Sequence, residues 1–182
     1  MPKEPTLISK EFLLKGRIFN LERHKLLFPN NYEIELEIIR HPGASAVVPM
    51  LDPETLLLVR QYRHAVGKYI YEIPAGTLKG GEDPHTCAKR ELEEETGYLS
   101  HDLLQLGMIY PLPGYSDERI YIYLARDLEE SSHHLDEDEV LRPIRVSKER
   151  AFQMIHEGLI RDAKSICGLF MADAFLRGND GR

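Results

Sequence analysis

The chain has 182 residues, 42% of them hydrophobic, which suffices for one well-packed domain with a small N-terminal extension. Its formal net charge of −7 and the lack of a basic stripe argue against a nucleic-acid surface, while nucleotide-sized substrates stay open because metal ions reverse a local field. No apolar run approaches the roughly 18 residues of a membrane span and the start is polar, so a cytoplasmic protein with no membrane partner is expected; Cys87 and Cys167 read as plain reduced thiols.

In chain order, two strand-like runs come first, at 13–21 and 32–39, joined by the turn signal Phe28-Pro29-Asn30-Asn31. The second alternates strictly between polar and apolar residues, so this hairpin needs a partner surface. His41-Pro42-Gly43 breaks the pattern and sets a boundary: residues 1–42 form a β hairpin region and 43–182 the main domain. Apolar strands follow at 44–50 and 55–62, with Leu51-Asp52-Pro53-Glu54 as the turn, and a short strand spans 69–73.

A helix is predicted from Pro84, with Asp83 as N-cap, to a stop at Gly97. Within about one turn it carries Glu91, Glu94 and Glu95, of which the first and third stack on one face. Such like charges repel by a few tenths of a kcal/mol per exposed pair, and more when buried. Two readings compensate this repulsion. One is a solvated acidic face, with Arg90–Glu94 and Lys89–Glu93 as ordinary i,i+4 pairs. The other is a divalent cation, where oxygen-only ligands and the lack of zinc-like Cys and His spacing favour Mg²⁺, with Mn²⁺ also suitable.

Beyond the helix, strands are expected at 104–110 and 119–125, separated by Pro111-Leu112-Pro113-Gly114-Tyr115. An acidic run, Asp136 to Glu139, precedes an edge strand at 139–146 that contains Pro143. Helices are predicted at 147–156, capped by Ser147 and ended by Gly158, and at 162–176, with an apolar set of Ile166, Leu169, Phe170, Ala174 and Phe175. Strands, helix, strands, helices make an α+β domain, a sheet between helices.

Set out as a pattern, the central segment is Gly76, five residues, Glu82, seven residues, Arg90-Glu91-Leu92, one residue, Glu94-Glu95, one residue, Gly97, Tyr98. It closely resembles the Nudix box, departing only where Tyr98 replaces an aliphatic residue. The resemblance implies a Nudix fold, a mixed sheet sandwiched between helices, here with an N-terminal antiparallel β extension. It also implies Mg²⁺-dependent hydrolysis of a nucleoside diphosphate linked to another group. Carried over by position, Glu91 and Glu95 are principal metal ligands, Glu94 shares the cluster, Glu82 reaches in from the loop and Ala75 lends its carbonyl. Arg90 holds these carboxylates in place.

Outside the box, Pro113 is the fifteenth residue after Tyr98, and Val-Arg-Gln-Tyr-Arg at 59–63, Tyr-Glu-Ile-Pro-Ala-Gly at 71–76 and Gly-Arg-Ile-Phe-Asn-Leu at 16–21 accompany it. These segments resemble the ADP-ribose pyrophosphatase branch of the family. That branch implies a homodimer formed through the N-terminal strands, with Phe19 and Arg17 near the adenine. It further implies Arg63 at a phosphate or terminal ribose, Glu72 and Glu118 at ribose hydroxyls, and a nucleoside diphosphate sugar as substrate. The loop at 136–139 would bring Glu137 as general base and Glu139 as a metal contact, with His133 and His134 beside them and Glu94 as the alternative base.

Overall fold

The computed structural model describes residues 3–131 and 141–179. Backbone contacts divide them into two units, one of residues up to 43 together with 110–119, the other of 44–109 together with 120 onward.

Three antiparallel strands make the first unit, in the order β1 (Thr6–Lys15), β2 (Asn20–Leu27) and β3 (Glu33–Arg40). The run at 13–21, expected as one strand, instead holds the end of β1, a turn and the start of β2. The Gly16 N–H donates to the Phe19 carbonyl at 2.9 Å, and a Cβ on Gly16 would lie 2.6 Å from that oxygen. Only glycine permits so close a return of the backbone. The second turn closes as expected, with Asn31 at φ 61, a conformation asparagine tolerates better than most residues.

Inside this unit Glu22, 7% exposed, collects Arg40 Nε at 2.8 Å and Lys10 Nζ at 2.7 Å and lies 3.0 Å from His24 Nε2. Arg40 in turn donates to Asp117 at 2.9 Å, and Asp117 accepts the His41 N–H at 2.9 Å, so side chains tie segment 110–119 to the end of β3. The Arg40 hydrogen bond, then that of Lys10, lowers the Glu22 carboxyl from its ordinary 4.5 to about 2, against the opposing effect of burial. A depressed carboxyl stabilises the fold above its unfolded value and ceases to do so as pH falls through its folded value. The unfolding-temperature gap between wild type and Glu22→Gln is therefore expected to be full above pH 4.5 and to close toward pH 2. Thermal scans at stepped pH check this, and a gap that does not change with pH contradicts it.

The second unit is built on a four-stranded mixed sheet in the order β7 (Ala75–Thr77), β4 (Ala44–Pro49), β9 (Ile120–Glu130), β8 (Tyr98–Ile109), in which β4 and β9 run parallel. Alternation along β4 and β9 divides the core into two layers. Val47, Tyr123 and Ala125 face Ala88 and Leu92 of α1 (Pro84–Thr96), whereas Ala46, Val48, Ile122 and Leu124 pack with Leu169 and Ala172 of α3 (Ala163–Asn179) and with Met154 of α2 (Lys148–His156). The sheet thus lies between helices, as expected. A second sheet, β10 (Leu141–Ser147), β5 (Thr55–Arg63) and β6 (Lys68–Glu72), places Pro143 on an edge strand.

Of the apolar set expected on the last helix, Ile166, Leu169 and Phe175 pack on the core and two residues do not. Phe170 of α3 is 52% exposed and Ala174 is exposed, while Ser165, Gly168, Leu169 and Ala172 turn inward. A Cβ on Gly168 would come within 2.8 Å of Ile73 Cδ1, so close approach to the sheet, not side-chain size, fixes the buried stripe. Phe170 instead meets Phe152 of α2 edge-on, with centroids 5.2 Å apart. Among the described residues no helix is long and apolar enough to cross a membrane.

Candidate active site

Local signals place α1. Asp83 accepts the Thr86 N–H at 3.1 Å as N-cap, Pro84 occupies the first turn, and Gly97 ends the helix at φ 74. The Ser45 hydroxyl of β4 donates to the Pro84 carbonyl at 2.7 Å and pins the helix start to the sheet. Strand β7, three residues long, brings Ala75 and Gly76 against the inner face of the same helix.

Three of the expected carboxylates meet on one cation. Arg90 pairs in bidentate fashion with Glu82, through Nε at 2.9 Å and Nη2 at 3.0 Å, while its Nη1 donates to Glu91 at 2.5 Å and to Glu94 at 2.8 Å. Its Nη2 also lies 3.4 Å from the Thr77 carbonyl. Arg90 chiefly, with help from the Lys79 N–H, overcomes burial and lowers the Glu82 carboxyl to about 2; in return Glu82, ahead of its two helical neighbours, raises the guanidinium well above its usual value. Glu95, 1% exposed, accepts the Ala75 N–H at 3.0 Å. Glu91, 6% exposed, fills the space where a Gly76 side chain would begin, so a Cβ there would collide with its carboxylate. Cys87, fully buried, donates toward the Gly76 carbonyl at 3.6 Å, and burial followed by the charges of Glu91 and Glu82 pushes its thiol up to about 11. That thiol stays protonated near neutral pH and acts as packing.

In donor chemistry this assembly suits a hard divalent cation, since its carboxylates supply oxygen donors with no competing thiolate or imidazole set. In arrangement the carboxylates are gathered on Arg90 and on a backbone N–H, and among the described residues no group of three or more His, Cys, Asp or Glu is disposed to hold a metal ion.

A second polar group lies on the β5–β6 pair and the start of α3. Arg63 and Arg60, three apart on β5, diverge as the strand period requires. Arg63 Nε donates to Glu72 at 2.8 Å, whereas Arg60 sits over the Tyr69 ring at 4.3 Å. Glu72 is only 3% exposed and also accepts from Lys164 Nζ at 2.7 Å. In the first unit Arg17 and Phe19 are exposed in the β1–β2 turn, Pro113 is exposed in the 111–116 turn, and Glu118 lies 3.7 Å from His41 Nδ1. Glu137 and Glu139, with His133 and His134, lie outside the described residues.

A model of the NUDIX domain matches residues 40–166. The chain belongs to the Nudix family. It is 37% identical over 164 residues to an ADP-ribose pyrophosphatase of Bacillus subtilis (strain 168), with 89% of each chain covered. It is 40% identical over 165 residues to a methanol dehydrogenase activator of Bacillus methanolicus, covering 90% of this chain and 89% of that one. A solved structure of an ADP compounds hydrolase superposes with a TM-score of 0.88 at 28% identity, over 98% of this chain and 97% of that one.

Within this Nudix chain the one departure from the box has a structural role. The Tyr98 hydroxyl donates to Glu130 at 3.0 Å and accepts from Arg145 at 2.6 Å, tying β8 to β9 and β10. Lys164 escaped sequence reasoning because its partner lies 92 residues away and nothing local marks a lysine in a first helical turn as buried. Its only signal is Asp162, which caps the helix through the Ser165 N–H at 2.9 Å and also binds Lys164 at 2.9 Å.

Proposed function

We propose that this chain is a Mg²⁺-dependent pyrophosphohydrolase that cleaves the pyrophosphate bond of ADP-ribose to AMP and ribose 5-phosphate. The observation that carries the reading is the gathering of Glu82, Glu91 and Glu94 on Arg90, beside Glu95 and Ala75, in a chain similar over most of its length to an ADP-ribose pyrophosphatase. Glu91 and Glu95, with Glu94, Glu82 and the Ala75 carbonyl, would hold Mg²⁺, and Mn²⁺ suits the same donors. Bound there, a divalent ion acidifies water and offsets pyrophosphate charge. Arg90 restrains the carboxylates and Arg63 offers its planar fork to a phosphate or the terminal ribose.

For Arg17, Phe19, Pro113 and Glu118 as substrate contacts, and for Glu137 and Glu139 as base and metal contact, the support is the resemblance of their segments. A homodimer formed through residues 1–42 is part of the same reading. In its favour Leu7, Ile8, Phe12 and Leu14 of β1 are all about half exposed, apolar surface that a second copy would cover.

Glu137→Gln is expected to lower kcat by roughly 10² with little change in KM, as removal of a general base does. Steady-state kinetics decide, and a mild effect transfers the role to Glu94. The alternative within the class is a broader nucleoside diphosphate sugar pyrophosphatase acting on GDP-mannose or ADP-glucose. A panel of ADP-ribose, GDP-mannose, ADP-glucose, UDP-glucose and dinucleoside polyphosphates, ranked by kcat/KM, separates the two; ADP-ribose not leading the panel overturns the narrower reading. Against a sensor that binds ADP-ribose without cutting it stands the presence of all four box glutamates.

A further inference from the structure

Glu72 is a buried carboxylate shared between two cations. Its Oε2 accepts from Arg63 Nε at 2.8 Å and its Oε1 from Lys164 Nζ at 2.7 Å. Lys164, 8% exposed, is held in turn by Asp162 at 2.9 Å. Asp162 also accepts from the Ser165 hydroxyl at 2.5 Å, and that oxygen accepts the Ile73 N–H at 2.8 Å. A continuous chain of bonds therefore runs from the cap of α3 through Lys164 and Glu72 to Arg63, whose side chain is 39% exposed.

The division of the Glu72 oxygens has a chemical consequence. A carboxylate beside an arginine frequently takes two parallel N–H groups in a fork. Here the Lys164 ammonium, anchored by Asp162, holds Oε1, Glu72 engages Arg63 through Nε alone, and among the described residues the terminal nitrogens of that guanidinium make no hydrogen bond. We propose that Lys164 is a positioning residue, which keeps Glu72 from closing on Arg63 and so leaves the outer edge of the guanidinium open to a substrate phosphate. This rests on the reading of Arg63 as a phosphate contact.

The test uses Lys164→Met and Lys164→Arg in the full chain. NMR of the Arg63 side chain, without substrate or metal, should show its Nη protons exchanging with water about threefold more slowly in Lys164→Met, because Glu72 then closes the fork. Lys164→Arg should keep the wild-type rate. With ADP-ribose, Lys164→Met should raise KM about tenfold with kcat within roughly threefold, and should add no such increase in an Arg63→Ala background. Should Lys164→Met fail to fold, Lys164→Gln, whose shorter and uncharged side chain holds Glu72 more weakly, is expected to slow the same exchange about twofold.

Nη exchange that is unchanged or faster in the folded variant, or a KM effect that persists in full without Arg63, overturns the proposal. Slowed exchange in a protein whose wild type does not cleave ADP-ribose supports the positioning role and overturns only the substrate.

Discussion

Glu95→Gln is expected to lower kcat for ADP-ribose by about 10³, since a metal site contributes several kcal/mol to transition-state stabilisation and each 1.4 kcal/mol is about tenfold in rate. Glutamine has the same shape and keeps an oxygen able to accept the Ala75 N–H, now at 3.0 Å, so the fold should survive. What it loses is the negative charge, at a residue 1% exposed, where charge is least screened by water. The effect should appear in kcat far more than in KM, and a higher Mg²⁺ concentration should be needed for half-maximal activity. Steady-state kinetics over a Mg²⁺ titration measure both. A kcat within tenfold of wild type would remove Glu95 from the site.

Arg90→Met should act on stability first. In the native fold the guanidinium bonds to three carboxylates at once. Removing one partner from a buried ion cluster leaves uncompensated charge and costs roughly 3 to 5 kcal/mol; with the arginine side chain 20% exposed, about 2 to 3 kcal/mol is expected here. Urea unfolding in EDTA should show that loss. Mg²⁺ should then stabilise the variant more than the wild type, because the abandoned carboxylates attract a cation more strongly. A loss under about 1 kcal/mol, or an equal response to Mg²⁺ in both proteins, contradicts the role given to Arg90.

What was legible in the sequence is what local chemistry dictates. Asp83, Pro84 and Gly97 bound α1 at 84–96 because capping and breaking act within a few residues, and the same holds for Ser147 at the start of α2. Three elements were not legible, and two of them depend on distant partners. The turn at 16–19 hides between β1 and β2 because Ile18 and Phe19 continue the apolar pattern while a backbone bond reverses the chain. Strand β7, only Ala-Gly-Thr, has no pattern of its own and exists through pairing with β4. The inward face of α3 follows from Gly168 approaching Ile73, which no helical period reveals. In the site, the glutamates and Arg90 were legible because they lie close together along one loop and helix. Lys164, which reaches Glu72 only through the fold, was not.

The central claim meets its most direct test when the wild-type protein is incubated with ADP-ribose, with Mg²⁺ in one arm and excess EDTA in the other, and the products are separated and identified. The account predicts AMP and ribose 5-phosphate in equal amounts with Mg²⁺ and neither with EDTA. Intact ADP-ribose in both arms, or cleavage that EDTA leaves untouched, would contradict it.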